Sequence, residues 1–332
     1  MKSESETMRL NEFAMIDEIF APLAASASGA FGLKDDAATC SVPAGHEMVV
    51  TADALVEGVH FLSDDLPGLI ARKALRVNLS DLAAKGARPE GYLLTISIPP
   101  WMDIEWLKSF AEGLAMDQSE FGVALLGGDT TRTPGPLTLS ITALGSCPNG
   151  AVLRRGGANA GDLVFVTGTI GDAGAGLAIL QSDNDHLPET DRNFLVRRYL
   201  LPEPRLAVGA LLRGIATSSL DVSDGLLADL GHIADVSRVA IELEANRIPL
   251  SAALTKFGEP GDALIIRAAT AGDDYEIAFT APASFRQVLN GIAGDTGVAI
   301  SEIGRIEAGA GVTLLDGSGT ALKVEKTGFT HF

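Results

Sequence analysis

Cysteine is almost missing from this 332-residue chain: Cys40 and Cys147 are the only two, and they are far apart. That excludes a disulfide framework and a cysteine-rich zinc site, and two reduced thiols are expected. Basic charge is short as well, with 25 Lys and Arg against 43 Asp and Glu and a formal net charge of -18. General affinity for nucleic acid or for an anionic membrane is therefore excluded, because both require a basic surface. No apolar run approaches the roughly 18 to 20 residues of a membrane span. The opening Met-Lys-Ser-Glu-Ser-Glu-Thr lacks a basic region followed by an apolar one, so the expected compartment is the cytoplasm. The common nucleotide and zinc signatures are absent too. Gly171-Asp-Ala-Gly-Ala-Gly176 does not fit Gly-x-Gly-x-x-Gly, no Walker loop occurs, and the five histidines contain no His-Glu-x-x-His.

What the chain does have is an ordinary hydrophobic content of 46%, only 5% aromatics, and 37 glycines, a composition of many tight turns. Its length suggests two domains. The turn-forming Cys147-Pro-Asn-Gly150 is the best boundary, giving a disordered lead over 1–10, an N-terminal domain over 11–148 and a C-terminal domain over 149–332. In the first, helices are predicted over 12–25 and 69–84. An amphipathic helix behind Asp103 carries Leu107, Phe110, Ala111, Leu114 and Phe121 at helical spacing. Strands are predicted over 47–53, resuming after a short break at Leu55, then over 91–98 and around Leu137 to Ala143. The second domain repeats the α/β character, with strands near 163–168, 239–243 and 277–280 and helices over 204–213, 226–236 and 285–292. Residues 182–191 read as a polar, exposed connection.

Six aspartates, Asp35, Asp53, Asp81, Asp129, Asp221 and Asp224, lie beside small residues at the ends of apolar segments. An unpaired carboxylate in such a setting costs several kcal/mol, so each needs a cation or backbone amides. One reading is Mg²⁺, which takes carboxylate and hydroxyl oxygens and completes its shell with water and substrate phosphate. The other is that half of them are helix caps or turn residues. Arg154 and Arg155, next to Gly156-Gly157, are equally open as a phosphate clamp or a solvated pair.

Seven segments taken in order carry a resemblance. They are Lys34-Asp-Asp-Ala-Ala, Thr51-Ala-Asp-Ala-Leu-Val-Glu-Gly-Val-His-Phe61, Asn78-Leu-Ser-Asp-Leu-Ala-Ala84, Gly127-Gly-Asp-Thr-Thr131, Arg155-Gly-Gly-Ala158, Asp221-Val-Ser-Asp-Gly-Leu226 and Gly272-Asp-Asp-Tyr-Glu276. The ordered set resembles the thiamine-monophosphate kinases. The resemblance implies the α/β (α+β) two-domain fold shared with aminoimidazole ribonucleotide synthetase. It also implies a homodimer joined through the N-terminal domains, and ATP-dependent conversion of thiamine monophosphate to thiamine diphosphate with several Mg²⁺ ions. ATP and thiamine monophosphate are the implied partners, with no nucleic acid and no membrane.

Position by position, the resemblance implies metal ligation by Asp35, Thr51, the Ala52 backbone, Asp53, Asp81, Asp129, Asp221 and Asp224. It implies nucleotide contacts at Gly128, Asp129, Arg155 and Ser223, and thiamine contacts at His60, Asp273 and Phe329. Asp81, Asp129 and Arg155 are the implied catalytic residues. Lys34, Ala52 and Asp273 depart from the family pattern, which favours Gly, a second Thr or Ser, and Glu there. Alternatives are another ATP-using enzyme of the superfamily or a non-catalytic thiamine-phosphate-binding protein. Selenophosphate synthetase is disfavoured, since no reactive Cys lies shortly before Lys34. A hydrogenase-maturation dehydratase is disfavoured by the lack of a terminal Cys.

Overall fold

The computed structural model describes residues 12–182 and 186–330; the lead expected over 1–10 lies outside them. The chain divides into two compact units whose segments interleave. One comprises residues up to Pro43, Val50–Asn78 and Pro89–Gly145, and the other comprises Ala44–Val49, Leu79–Arg88 and Ser146 onward.

The single helix predicted over 12–25 is three short turns instead. They are α1 (Glu12–Met15), a π-turn over Ile16–Phe20 and a 3₁₀ turn over Ala21–Ala24. Pro22, with no N–H to donate, sits in the first turn of the 3₁₀ segment and prevents a continuous α-ladder. Ile19, Phe20 and Leu23 are buried nonetheless. Strand β1 (His46–Val56) runs without the break expected before Leu55. There follow α2 (Pro67–Ala84), β2 (Arg88–Ile98), α3 (Ile104–Phe121), β3 (Leu125–Arg132) and β4 (Thr138–Pro148). The strands form one sheet in the order β1-β4-β2-β3.

Helix α3 begins where the Asp103 carboxylate accepts the Trp106 N–H at 2.8 Å and ends at Gly122 in a left-handed conformation, φ 65°. Its stripe of Leu107, Phe110 and Leu114 is buried as the periodicity requires. Helix α2 is held to it by Arg72 and Arg76, one turn apart, whose Nε atoms each lie 2.7 Å from a different oxygen of the buried Asp117. This fork-on-carboxylate geometry satisfies an otherwise costly internal charge.

The second unit holds a six-stranded sheet flanked by helices. In chain order its elements are β5 (Leu163–Thr167), α4 (Asp172–Leu180), α5 (Glu189–Leu200), α6 (Leu206–Leu211), β6 (Ser218–Asp221), α7 (Leu226–Ser237) and β7 (Ala240–Glu244). They continue with α8 (Ala252–Phe257), α9 (Asp262–Thr270), β8 (Ile277–Ala281), α10 (Arg286–Thr296), β9 (Ile300–Glu307) and β10 (Gly311–Leu315). The strand order is β10-β7-β9-β5-β8-β6. Only the β10 and β7 pairing is parallel, the other four being antiparallel, which places the fold on the α+β side. One core packs Val164, Val166, Leu220, Leu230, Ile233 and Ile241 together; another gathers Phe165, Phe279, Leu212 and Leu289. The exposed connection expected over 182–191 gives way to α5 at Glu189, and α8 and α9 were not anticipated.

Candidate active site

In the first unit the Gly-Gly-Asp segment lies on β3, beside β2 in parallel, with Leu94 opposite Gly128 and Thr95 opposite Asp129. Gly128 has φ 156°, and a Cβ there would collide with the Leu94 carbonyl oxygen. Glycine is therefore required for β3 to approach β2 and present Asp129. Asp35 follows a 3₁₀ turn over Ser28–Leu33 in which Phe31 and Leu33 take left-handed conformations, φ 50° and 56°. Asp35, Gly128 and Asp129 line one cavity of about 770 Å³ together with Asp36, Thr95 and Thr130. Three carboxylates and two hydroxyls among the lining of one cavity are hard-cation chemistry.

Thr51, Ala52 and Asp53 follow one another on β1, and the Asp53 N–H donates to Asn78 Oδ1 at 3.1 Å. The Val56 N–H donates to His60 Nδ1 at 3.0 Å, so in the neutral ring the proton sits on Nε2. Lys34 directs its ammonium to Asp17 at 4.0 Å, both side chains being well exposed, a pair that contributes little to stability.

In the second unit Asp81 lies near the end of α2 and Asp221 at the end of β6. Ser80 Oγ donates to Asp221 Oδ2 at 2.7 Å. Burial, then repulsion from Asp81, pushes the Asp221 carboxyl well above the usual carboxylate range. Lys85, one turn beyond Asp81, donates from Nζ to the Ser219 carbonyl at 2.9 Å. Burial pulls its ammonium down, against the opposing pull of Asp221 and Asp81. Ser219 Oγ in turn donates to the Ala84 carbonyl at 2.8 Å, tying α2 to β6. Arg155 is exposed, while the Arg154 carbonyl accepts the Ser219 N–H at 2.8 Å.

Past β6 the amides of Ser223, Asp224 and Gly225 converge on Asp229 Oδ2 at 3.0, 3.0 and 3.1 Å, closing the N-terminus of α7. Burial and the neighbouring Asp224 push Asp229 up to about 7. Asp224, Asp229 and His232 each bring a ligand atom within 4.8 Å of the others. Sequence reasoning named only Asp224; the i, i+3 pair Asp229 and His232 on one helix was the available signal. The Asp273 N–H donates to the Ser223 carbonyl and the Phe329 N–H to the Asp224 carbonyl, both at 2.9 Å. Ser223, Asp224, Asp273 and Phe329 are thus gathered by main-chain bonds, with the Phe329 side chain 44% exposed.

The AIR synthase related protein models match twice, the N-terminal domain over residues 34–147 and the C-terminal domain over 159–317. The thiamine-monophosphate kinase of Escherichia coli strain K12 is 39% identical over 326 residues, covering 98% of this chain and 99% of that protein. The chain belongs to the thiamine-monophosphate kinase family. Among solved structures, the thiamine-monophosphate kinase from Stenotrophomonas maltophilia K279a superposes with a TM-score of 0.83 at 42% identity. It covers 94% of this chain and 98% of its own. AaThiL complexed with AMPPCP and TMP superposes with a TM-score of 0.78 at 32% identity, covering 99% of this chain and all of its own.

Proposed function

We propose that this protein transfers the γ-phosphoryl group of ATP to thiamine monophosphate, forming thiamine diphosphate and ADP. The reading is carried by the relative complexed with AMPPCP and TMP, which aligns with 99% of the chain. The nucleophile is a substrate phosphate oxygen, already anionic near neutral pH, so no protein base is needed. The work left to the chain is alignment for in-line attack and neutralisation of charge. Gly128, Asp129, Arg155 and Ser223 hold the nucleotide, Arg155 offering its exposed guanidinium to phosphate oxygens. His60, Asp273 and Phe329 hold the thiamine moiety, where an acidic and an aromatic group suit a permanent cation.

Mg²⁺ belongs to this reading. Buried Asp221 is pushed up partly by Asp81, and a cation between such carboxylates relieves that repulsion. Asp35, Thr51, Ala52 through its carbonyl, Asp53 and Asp129 in one unit, and Asp81, Asp221 and Asp224 in the other, are the proposed ligands. When bound, the ions would offset the negative charge of the phosphates. Asp81, Asp129 and Arg155 are the residues proposed to act at the reacting phosphates. A homodimer is proposed as well, supported by the apolar side chains Met48 and Val50, 40% and 57% exposed along β1. Light scattering on the purified protein checks it. The cytoplasm is the proposed compartment, consistent with the absence, among the described residues, of any helix long and apolar enough to cross a membrane.

The deciding experiment incubates protein, Mg²⁺, ATP and thiamine monophosphate and resolves the thiamine species by chromatography. Thiamine diphosphate and ADP in equal amounts are expected. Well-folded protein that binds both substrates without forming diphosphate would return the binding-protein reading.

A further inference from the structure

The turn between α9 and β8 is built in a costly way. Asp273 and Tyr275 are both left-handed, φ 69° and 51°; aspartate tolerates that region, whereas tyrosine does not. A bulky tyrosine is rarely found there, and strain of this kind persists only where surroundings over-determine it. Gly272 leaves no room either, since a Cβ there would meet the Ser223 carbonyl oxygen at 2.5 Å. The main chain of the turn is fastened to the β6–α7 loop by Asp273 N–H to Ser223 O, Tyr275 N–H to Val222 O and Val222 N–H to Glu276 O, at 2.8 to 2.9 Å.

Between the two left-handed residues, Asp274 points inward and is fully buried. Its Oδ2 accepts the Gly171 N–H at 2.6 Å and its Oδ1 the Ala173 N–H at 3.3 Å, at the start of α4. Arg198, on α5 and 5% exposed, donates from Nη2 to the Asp274 carbonyl at 3.0 Å and to Glu276 Oε1 at 2.9 Å. Its Nε and Nη1 are buried without a hydrogen-bond partner. Glu276 is satisfied without Arg198: Arg205 Nε lies 2.7 Å from its Oε2 and Thr167 Oγ1 2.6 Å from the same oxygen. A half-satisfied buried guanidinium is a poor contributor to stability. What Arg198 does uniquely is grip the carbonyl at the centre of the strained turn.

We propose that Asp274 and Arg198 are positioning residues for thiamine-phosphate recognition, clamping the turn in the conformation that presents Asp273. This rests on the reading of Asp273 as a substrate contact. Neither residue touches substrate; both act through the backbone on either side of Asp273.

The test measures KM for thiamine monophosphate and for ATP, and kcat, in Arg198→Met, Asp274→Ala, Asp274→Asn and Asp273→Asn, with the first two also combined with Asp273→Asn. Arg198→Met and Asp274→Ala are expected to raise the KM for thiamine monophosphate about tenfold while leaving that for ATP within about twofold. On the Asp273→Asn background most of that effect is lost, because a clamp has nothing left to position. Asp274→Asn, which keeps an acceptor for Gly171, recovers the wild-type KM. Equal effects with and without Asp273 would mean general softening of the fold and overturn the inference. An effect of Asp273→Asn with none from Arg198→Met would overturn it while leaving Asp273 as a substrate contact. No effect of Asp273→Asn would remove that contact itself. Should Asp274→Ala fail to fold, Arg198→Met, whose loss leaves Glu276 paired, carries the same cycle.

Discussion

Two buried carboxylates at the ends of neighbouring strands have been given opposite surroundings. Asp221 ends β6 opposite Ile277 of β8, and Glu276 immediately precedes that residue. Glu276 receives Arg205 and Arg198, which hold it below the usual carboxylate range despite burial. Asp221 receives a serine hydroxyl and the repulsion of Asp81, and is held above that range. One carboxylate is ion-paired with two arginines, and the other has only the pull of Lys85, which does not offset burial and Asp81. Burial alone therefore does not set the state of a carboxylate; the charges placed beside it do.

The sharpest way to break this contrast is Asp81→Asn. It should lower kcat by roughly 10³-fold, as loss of a group stabilising charge at the reacting centre does, with circular dichroism unchanged. Near-normal turnover would remove Asp81 from the proposed centre. Glu276→Gln should do the reverse, destabilising the fold by roughly 3–5 kcal/mol because buried Arg198 loses its carboxylate and part-buried Arg205 keeps only Glu203. Denaturant unfolding reads this directly; a midpoint equal to wild type would make Glu276 no more structural than Asp221.

Metal addition and removal sharpens the comparison next. Mg²⁺ at about 100 times its dissociation constant should stabilise the wild type by about 2.7 kcal/mol, a gain reversed by EDTA. Asp221→Asn should lose that response while Glu276→Gln keeps it. A full response in Asp221→Asn would place the cation elsewhere. The last test concerns pH. Burial pushes Asp274 up to about 8, so its proton is held more tightly in the folded than in the unfolded chain. Its contribution is then fully present below about pH 4 and is lost as pH rises to about 8, at up to about 1.4 kcal/mol per pH unit. Asp274→Asn should flatten the fall in stability between pH 5 and 8, and an unchanged slope would assign the titration to another group.

Much of the fold was legible where one apolar stripe meets one clear boundary. Asp103 and Gly122 bracket α3, and Leu139, Ile141 and Ala143 alternate along β4, all three buried. Helix α5 was not legible because Glu-Thr-Asp-Arg-Asn-Phe-Leu-Val-Arg-Arg-Tyr-Leu offers Leu195 and Tyr199 to the interior amid charges on every turn. One of those charges, Arg198, is itself buried, so polarity misreports its position. In the candidate site, the small-residue motif around Asp221 marked a carboxylate that is buried and held above its usual range. Lys85, Asp229 and Asp274 escaped notice because their surroundings come from segments far away in sequence, and local pattern carries no record of those partners.

The interleaving of the units bears on how such a chain is made and how it can change. Leu79–Arg88 belongs with Ser146 and beyond, where Ala83 packs beside Phe165 and Phe279 and the Lys85 carbonyl accepts the Leu153 N–H. During synthesis this segment leaves the ribosome well before the strands that receive it and must stay available until they arrive. A gene fragment encoding only the residues from 149 onward would omit it. The two halves of this protein are for that reason poor candidates for independent shuffling between genes, and their pairing is inherited as one piece.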